Sequence, residues 1–266
     1  MRIDIMTLFP EMCEAFLSES IIGRARAAGY VDIRCVNIRD YAGNKHNRVD
    51  DYPYGGGTGM VMQPNPIYDC YRAVTEGGAR KCHLIYLTPQ GKTLTQERVR
   101  ELSEMDDLVL LCGHYEGVDE RVIEEIVDEE ISIGDYVLTG GELPALILAD
   151  SISRMLPGVL ANEDAFTEES HYGHLLEYPQ YTRPAEWQGR EVPDVLLSGD
   201  HGKVDRWRLE QAVARTLERR PDMLEAADAA GELTKEEREI LDTLKDFSFL
   251  TINLVIYHHS FSEGNV

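Results

Sequence analysis

The sequence predicts an α/β protein with a mostly parallel sheet, followed by a smaller helical region. Through the first 160 residues, short apolar runs of strand length alternate with helix-like segments, which is the order that βα units produce. Two of these runs, Leu84–Leu87 and Leu108–Leu111, are continuously apolar rather than alternating. Central strands covered on both faces have this character.

Each strand of the first region is predicted from one apolar run, and the helices from segments between them. The predicted strands are Ile3–Phe9, Val31–Ile38, His83–Leu87, Leu108–Cys112 and Ile131–Leu138. The predicted helices are Pro10–Leu17, Pro66–Thr75, Thr95–Leu102, Asp119–Val127 and Glu142–Leu156. Pro10 and Pro66 are expected at helix starts, because the first turn of a helix leaves its N–H groups unbonded anyway.

Residues 39–63 have no helix or strand period and contain Asp50-Asp51-Tyr52-Pro53-Tyr54-Gly55-Gly56-Gly57-Thr58-Gly59-Met60. Loops of this length inside a compact domain are usually functional or disordered. The arginine, histidine and tyrosine residues favour function over a plain linker. The segment is not a P-loop, because no Gly-Lys-Ser or Gly-Lys-Thr follows the glycines.

The sequence becomes polar after Gly158, which predicts a domain boundary. We place a first domain at residues 1–160, a linker at 161–175 and a helical domain at 176–247, and we assign no role to the tail, 248–266. Its predicted helices are Asp205–Arg220, Pro221–Ala230 and Thr234–Phe247. Asp205 and Thr234 are the predicted N-caps, and Thr234-Lys235-Glu236-Glu237 is a capping box. The apolar stretch Phe247–Tyr257 is about half the length that a bilayer requires.

Composition favours a cytoplasmic globular protein with free thiols. The N-terminus leads directly into a strand-like segment rather than a secretory leader, and the hydrophobic content of 43% is ordinary. The five cysteines contain no Cys-x-x-Cys pair, so we expect thiols that are mostly buried. The histidines lack further ligands at zinc spacing, so no metal site is predicted.

The net charge of −22 argues superficially against an RNA partner. The acidity is regional, however. Residues 101–130 hold twelve acids against one base, whereas residues 21–48 hold six bases against two acids. Local basic surfaces therefore survive, although solvated charge on an ordinary surface is an equally good explanation for them.

Glycine-bearing turns follow successive strand-like runs. Gly113 and Gly117 follow one run, Gly134, Gly140 and Gly141 the next, and Gly91 follows a third. Glycine lets main-chain N–H and C=O groups approach a ligand where a Cβ would clash. Any one of these glycines could simply make a tight turn, but the set predicts a small-molecule site recognised by main chain.

The chain resembles the bacterial tRNA (guanine-N1-)-methyltransferases, which modify the guanosine immediately 3′ of the anticodon, position 37. The resemblance runs from Met1 to about Phe247. The motifs that carry it are Met6-Thr7-Leu8-Phe9-Pro10, Asp50 to Met60, Leu87-Thr88-Pro89-Gln90-Gly91, Cys112 to Asp119, Ile133 to Ala145, Leu156-Pro157-Gly158-Val159-Leu160, Tyr181-Thr182-Arg183-Pro184 and Leu197-Ser198-Gly199-Asp200-His201.

The resemblance implies a trefoil-knotted domain of the SPOUT class, an obligate homodimer and S-adenosylmethionine as methyl donor. The family also suggests Mg²⁺ for catalysis, a requirement that the sequence leaves open. In the family the knot contains three ligand-contacting loops, here Tyr86–Gly91, Gly113–Gly117 and Ile133–Pro144. The implied cofactor-binding residues are Tyr86, Leu87, Thr88, Pro89, Gln90, Gly91, Gly113, Tyr115, Glu116, Ile133, Gly134, Tyr136, Leu138, Gly140, Gly141 and Pro144.

The reaction needs a base, because guanine N1 carries a proton and attacks a sulfonium methyl poorly until that proton is lost. The resemblance places Glu169 where the family has its catalytic aspartate, and Glu168 or Asp164 are alternatives for the base. It places Arg154 where the family has an arginine that stabilises charge on guanine O6. His171 stands where the family typically has phenylalanine.

The resemblance also implies that two subunits share each site and that tRNA contacts the long loop and the second domain. The implied RNA-contacting residues are Lys45, Arg48, Tyr54, Arg183, Ser198, His201, Arg206 and Arg208. Two other functions remain open at this point. One is a non-catalytic RNA- or cofactor-binding module that lost its base with the aspartate. The other is a knotted methyltransferase that acts on a ribose or another base.

Overall fold

The computed structural model describes residues 1–161, 166 and 169–246. The chain divides into two compact units, Met1–Ala165 and Phe166–Val266. Each unit has its own apolar core. The predicted tail, 248–266, lies outside the described residues.

A five-stranded parallel sheet forms the centre of the first unit. A separate antiparallel pair of two-residue strands lies within the long loop. The strands are β1 (Arg2–Thr7), β2 (Asp32–Asn37), β3 (Asp50–Asp51), β4 (Val61–Met62), β5 (His83–Thr93), β6 (Asp107–Cys112) and β7 (Glu129–Ser132). In the sheet the order is β2-β1-β6-β5-β7, and every neighbouring pair is parallel. The predicted α/β class and parallel sheet are confirmed, with β5 and β6 among the interior strands.

Helices cover both faces of this sheet. They are α1 (Pro10–Leu17), α2 (Ser20–Ala28), α3 (Pro64–Val74), α4 (Gln96–Ser103), α5 (Glu120–Ile126) and α6 (Glu142–Ser153). On β6, Leu108 and Leu110 pack into a core with α1, α2, α4 and α6. Val109 and Leu111 point to the opposite face and pack with α3 and α5. The alternation of side chains along a strand therefore produces a three-layer α/β/α unit.

Four of the five predicted sheet strands overlap the observed strands over most of their length. The fifth prediction, Ile131–Leu138, was wrong over most of its length. β7 ends at Ser132, so Ile133–Leu138 is not strand but a bent segment. Helix α2 was not predicted, and α3 begins at Pro64 rather than Pro66. The five thiols are free as predicted, with Cys13, Cys70 and Cys112 buried and the other two half-buried.

The second unit is mainly helical. A short hairpin, β8 (Glu186–Trp187) and β9 (Arg190–Glu191), precedes α7 (Asp194–Leu197), α8 (His201–Arg219), α9 (Pro221–Ala230) and a last helix, α10, over residues 235–246. Val213, Leu224 and Ile240 are buried together between the last three helices. None of the helices formed by the described residues combines the length and apolar character that a bilayer crossing requires.

Two helix starts in the second unit test the capping predictions. The prediction of a capping box before α10 is confirmed: Thr234 N–H donates to Glu237 Oε2 (2.7 Å) and Glu237 N–H donates to Thr234 Oγ1 (3.2 Å). Asp205 is not an N-cap, because α8 begins at His201. The cap is Asp200, whose Oδ1 accepts the Lys203 N–H at 3.2 Å. An N-cap aspartate satisfies one of the unbonded donors of the first turn.

Candidate functional site

A cleft of about 240 Å³ lies in the first unit, beside the middle of β5 and at the carboxyl ends of β6 and β7. Residues 86–90 lie within β5, where its register against β7 shifts between Leu87 and Lys92. Because parallel strands place their carboxyl ends at one edge of a sheet, the segments that follow β6 and β7 meet there. Residues 113–120 and 131–141 line the cleft from these two ends, together with Ile123 on α5 and Pro144 at the start of α6. We call this site the strand-end cleft.

The structure brings together nearly all of the predicted cofactor-binding residues. Fifteen of the sixteen line the strand-end cleft: Tyr86, Leu87, Thr88, Pro89, Gln90, Gly113, Tyr115, Glu116, Ile133, Gly134, Tyr136, Leu138, Gly140, Gly141 and Pro144. The exception is Gly91, which lies within β5 against the backbone of Glu130 and Ile131. Gly91 permits this strand contact and does not line the cleft.

Main-chain contacts hold two of the lining segments together. The Gly141 N–H donates to the Gly113 carbonyl at 2.8 Å, and His114 forms an antiparallel bridge with Gly140. A Cβ on Gly141 would lie 2.8 Å from Cys112 Cα and 2.9 Å from Gly113 N. These neighbours are backbone atoms and cannot rotate away, so only glycine fits at this position.

The segment after β7 keeps apolar side chains exposed. Gly134 has φ +145°, a conformation that side-chain-bearing residues rarely adopt, and its carbonyl accepts the Tyr136 N–H at 2.9 Å. The turn leaves Val137 81% exposed, with Tyr136 and Leu138 also exposed. Large apolar side chains exposed along a cleft are typical of ligand sites.

A buried hydrogen bond fixes the start of α6 under the cleft. The Thr7 hydroxyl donates to Glu142 Oε1 at 2.8 Å, and both side chains are buried. Thr7 Oγ1 also accepts the Phe9 N–H at 2.9 Å. Glu142 is the first residue of α6, where the helix dipole favours a carboxylate. The contact ties the end of β1 to the residues that follow Gly141, a role that neither side chain was predicted to have.

The lining is acidic and aromatic. It includes the carboxylates of Glu116 and Glu120, and within the described part of the chain it includes no lysine or arginine. Burial raises the pKa of the Tyr86 phenol above its ordinary value, so this hydroxyl is neutral near pH 7. Such a lining suits a flat heteroaromatic ligand that carries positive charge.

His114 lines the cleft but was absent from the predicted set. Its ring lies between Phe9 (centroids 5.1 Å apart) and Tyr115 (4.8 Å). Its Nδ1 atom is buried and has no hydrogen-bond partner among the described residues. A buried unsatisfied nitrogen is rare in native proteins and requires an explanation; a ligand group or water could satisfy it. The remaining lining residues that were not predicted are Gly117, Val118, Glu120, Ile123, Ile131, Ser132, Val137 and Thr139.

The long loop is joined to the cleft by backbone hydrogen bonds. The Glu116 N–H donates to the Met60 carbonyl (2.9 Å), the Met62 N–H to the Gly117 carbonyl (2.9 Å), and the Asp119 N–H to the Met62 carbonyl (3.1 Å). We call these three bonds the loop–turn ladder. Tyr54, on the free part of the loop, is 99% exposed. The loop thus places exposed residues close to a lining segment.

The two predicted catalytic residues lie in different units. Arg154 follows the last turn of α6 as its C-cap residue. Glu169 is half-buried in the second unit, where its carbonyl accepts the Tyr172 N–H at 3.2 Å. Glu169 also lines a second cavity, of about 350 Å³, with Tyr178 and Arg208. The alternative bases Asp164 and Glu168 lie outside the described residues. His171 adopts φ +70°.

Most of the predicted RNA-contacting residues are exposed. These are Lys45, Arg48, Tyr54, Arg183, Ser198, His201 and Arg206, while Arg208 is half-buried. Arg48 pairs with Asp51 at 3.1 Å, and Arg206 pairs with Glu210 at 2.9 Å and Glu236 at 2.5 Å. Exposed ion pairs of this kind are weak, so RNA phosphates can replace them.

Arg208 pairs with Asp205 at 3.6 Å and also contacts an aromatic ring. Its guanidinium carbon lies 4.9 Å from the centre of the Tyr178 ring, a cation–π geometry. Two exposed aromatic residues that were not in the predicted set, Tyr181 and Trp187, lie in the same unit. Exposed aromatic rings are the usual stacking surfaces for unpaired bases; the predicted set used this signal at Tyr54 but not in the second unit.

The described parts of the chain contain no group of three or more His, Cys, Asp or Glu side chains arranged to hold a metal ion.

Comparison with known proteins identifies the family. A sequence model described as tRNA (Guanine-1)-methyltransferase TrmD matches residues 1–226. The chain is 58% identical to the tRNA (guanine-N(1)-)-methyltransferase of Ruminiclostridium cellulolyticum over 223 residues, which cover 84% of this chain and 96% of that one. It is 53% identical to the enzyme of the same name from Halalkalibacterium halodurans over 245 residues, covering 92% and 98%.

A third relative, the tRNA (guanine-N(1)-)-methyltransferase of Clostridioides difficile, is 56% identical over 224 residues, covering 84% of this chain and 97% of that one. The matched residues include the whole strand-end cleft and Arg154, Glu169 and Arg208. The chain therefore belongs to the tRNA (guanine-1)-methyltransferase family.

Proposed function

We infer that the protein transfers a methyl group from S-adenosylmethionine to N1 of the guanosine at position 37 of tRNA, immediately 3′ of the anticodon. The observation that carries this inference is the strand-end cleft in a chain of this family. Its main-chain walls and acidic lining match a nucleoside that carries a sulfonium. S-adenosylmethionine, when bound, supplies the electrophilic methyl group.

The main chain of the cleft would hold the cofactor. Backbone groups of Leu87, Ile133, Tyr136, Leu138 and Gly140 would contact the adenine and ribose. Backbone hydrogen bonds position several of these groups, since Leu87 lies in β5, the Tyr136 N–H donates to the Gly134 carbonyl and Gly140 forms a bridge with His114. Such positioning supports the orientation of a bound reactant. The negative charge of the cleft would attract a ligand with a sulfonium and an ammonium group.

Glu169 would accept the proton from guanine N1. A carboxylate has the charge and the acceptor geometry for this step. As N1 loses its proton, negative charge spreads to guanine O6, and the Arg154 guanidinium would stabilise that charge by several kcal/mol in a site that excludes water. Mg²⁺ assistance remains an expectation from the family resemblance.

A homodimer would explain the exposed apolar face of the first unit. Phe9, the N-cap of α1, Met12 and Phe16 on α1, and Leu143 and Ile147 on α6 are each between 38% and 47% exposed. Helices α1 and α6 pack against each other, so these exposed apolar side chains lie on neighbouring elements. Patches of this kind on a stable protein mark an interaction surface, and we assign this one to a second copy of the chain. Each site would then combine the cleft of one subunit with Glu169 of its partner.

The tRNA would contact the long loop and the second unit, and we place the protein in the cytoplasm with its substrate. The exposed basic residues of both regions would bind phosphates. The exposed aromatic residues of the second unit would stack on unpaired anticodon-loop bases.

The test is methyl transfer to two transcripts that differ only at position 37. We expect N1-methylguanosine, identified by mass spectrometry, from the guanosine transcript and no product from the adenosine transcript. Glu169→Gln should lower the rate by about 10² to 10⁴, the usual contribution of a general base. Glu191→Gln, an exposed carboxylate on the hairpin of the same unit, is the control.

Methylation of both transcripts, or of a ribose, would contradict the assigned target. Glu169→Gln working at the parental rate would instead contradict only the role of Glu169.

A further inference from the structure

Arg39 lies at the edge of the strand-end cleft and has no role in the function inferred above. It belongs to a 3₁₀ turn, Ile38–Tyr41, that directly follows β2, and its N–H donates to Asn37 Oδ1 at 3.0 Å. Its Nη2 donates to the Tyr115 hydroxyl at 3.4 Å. Since Tyr115 lines the cleft, the guanidinium stands next to the cleft without being part of its wall.

Arg39 lacks the ion pair that most arginines of this acidic chain have. Among residues 1–161, 166 and 169–246 it pairs with no carboxylate, and the Tyr115 hydroxyl is its side-chain partner. Arg34, on the preceding strand, shows the contrast: its Nη2 lies 2.6 Å from Asp32 Oδ2 and its Nε 3.2 Å from Asp32 Oδ1. A guanidinium held by one long bond to a neutral hydroxyl keeps donors for another oxygen.

Tyr115 is held in an unusual conformation. Its φ is +58°, in the left-handed region that residues with a Cβ rarely adopt, and its ring meets His114 edge-on. Backbone strain of this kind persists where the surroundings fix it and is concentrated at functional sites. The hydrogen bond between the two side chains places the Arg39 guanidinium beside this residue, at the edge of the cleft.

The charged groups that line the cleft complement the two cationic groups of the ligand but not its carboxylate. S-adenosylmethionine carries a sulfonium, an ammonium and a carboxylate. Glu116 and Glu120 favour the two cations, but the described lining contains no lysine or arginine for the carboxylate. The Arg39 guanidinium contacts a lining residue, Tyr115, and guanidinium binds carboxylates and phosphates through paired N–H donors.

We propose that Arg39 is an oxyanion-binding residue of the strand-end cleft and that it takes the amino-acid carboxylate of S-adenosylmethionine. A phosphate of the bound tRNA offers the same chemistry from a second source. We favour the carboxylate of S-adenosylmethionine over a tRNA phosphate. The described lining residues of the cleft include carboxylates but no lysine or arginine, so Arg39 would supply the positive charge that the ligand's carboxylate needs. This inference rests on the proposed function for the identity of the cofactor.

The test is calorimetric titration of the full-length protein with S-adenosylmethionine and with 5′-methylthioadenosine, which lacks the amino-acid part. Arg39→Ala should weaken the binding of S-adenosylmethionine by about tenfold to a hundredfold, as expected for a lost charged hydrogen bond. Its binding of methylthioadenosine should change less than about twofold. Arg39→Lys should fall between, because it keeps the charge but loses the paired donors. Arg34→Ala is the matched control and should bind both ligands like the parent.

The KM for tRNA separates the two sources of the oxyanion. If the Arg39→Ala protein binds S-adenosylmethionine normally but its KM for tRNA rises about tenfold, Arg39 is still an oxyanion-binding residue, and its ligand is a tRNA phosphate. Unchanged cofactor affinity together with unchanged KM would overturn the proposal. If the parent protein binds no S-adenosylmethionine, the proposed function is overturned as well. If the parent binds it normally and Arg39→Ala changes neither the cofactor affinity nor the KM for tRNA, this inference alone is overturned.

Discussion

The strand-end cleft is built largely from main-chain groups of three segments around the sheet, whereas the candidate RNA-contacting groups of the second unit are side chains, of which Arg206 and Arg208 lie on α8. A Cβ on Gly141 would lie only 2.8 Å from Cys112 Cα, so the cleft has no room for an added atom there. The surface of α8 instead displays Arg206 in exposed ion pairs. The two regions are therefore sensitive to different substitutions. Added atoms should lower ligand affinity at the cleft, whereas removal of charged side chains should lower RNA affinity at the helix surface.

Of the three changes that test this comparison, the loss of Arg154 has the largest expected effect, because a side chain that stabilises transition-state charge has no main-chain substitute. Arg154→Ala should lower kcat for methyl transfer by about 10² to 10³. The affinity for S-adenosylmethionine should stay near the parental value. Single-turnover kinetics with saturating tRNA measures the loss, and Arg219→Ala, at the end of α8, is the control that should keep parental kcat. Equal losses in the two variants would remove Arg154 from the reaction.

Gly141→Ala sharpens the comparison by adding one carbon to the cleft. The new Cβ would meet backbone atoms of Cys112 and Gly113, so the segments around residues 113 and 141 must separate. We expect a destabilisation of about 1 to 3 kcal/mol and a loss of cofactor affinity of tenfold or more, both measured by titration and thermal unfolding. Gly202→Ala in α8, where the nearest atom to a new Cβ is 3.7 Å away, is the control. A Gly141→Ala protein that binds the cofactor like the parent would show that the cleft tolerates added bulk after all.

Glu237 gives the smallest effect and concerns the second unit alone. Burial by itself would raise the pKa of the Glu237 carboxyl, but hydrogen bonds from Thr234 and the His174 ring outweigh it and hold the pKa below its ordinary value. A lowered folded-state pKa stabilises the unit above the unfolded pKa of about 4.3, and this contribution is lost as the pH falls through the folded value. Glu237→Gln should therefore cost about 1 kcal/mol near pH 7 and nothing at low pH.

Tryptophan fluorescence measures this prediction, because Trp187 and Trp207 are the two tryptophans of the chain and both lie in the second unit. Urea unfolding followed by fluorescence reports the stability of that unit between pH 3 and 7. Glu232→Gln, at an exposed carboxylate shortly before the same helix, controls for the change of net charge. A constant difference between Glu237→Gln and the parent at every pH would contradict the pKa argument.

The sequence predicts the sheet well because its strands are buried. In β6, residues 108–112 are all buried, so the apolar run and the strand coincide almost residue for residue. Ile133–Leu138 failed for the opposite reason. Its apolar residues face the cleft and solvent instead of a sheet neighbour, and a run of apolar letters does not say what will cover it.

Helix ends were less predictable than helix positions. Asp205 looked like a cap because an amphipathic pattern begins there, whereas Asp200 caps a first turn that contains Gly202, a poor helix former. Helix α2 was missed because Gly23 interrupts a short segment that buries only Ile22 and Ala25. The cleft itself was predictable from its glycines, but the position of Arg39 required the turn after β2 to be seen beside Tyr115.

The loop–turn ladder consists of backbone atoms, so no ordinary side-chain exchange can remove it. A proline at Met62 would remove one of its donors, because proline has no N–H. Any movement that a ligand imposes on residues 116–119 is therefore transmitted to Met60 and Met62 and to the exposed residues between Tyr52 and Gly59. A ligand in the cleft and a ligand on the loop would then change each other's affinity, and by linkage the factor is the same in both directions.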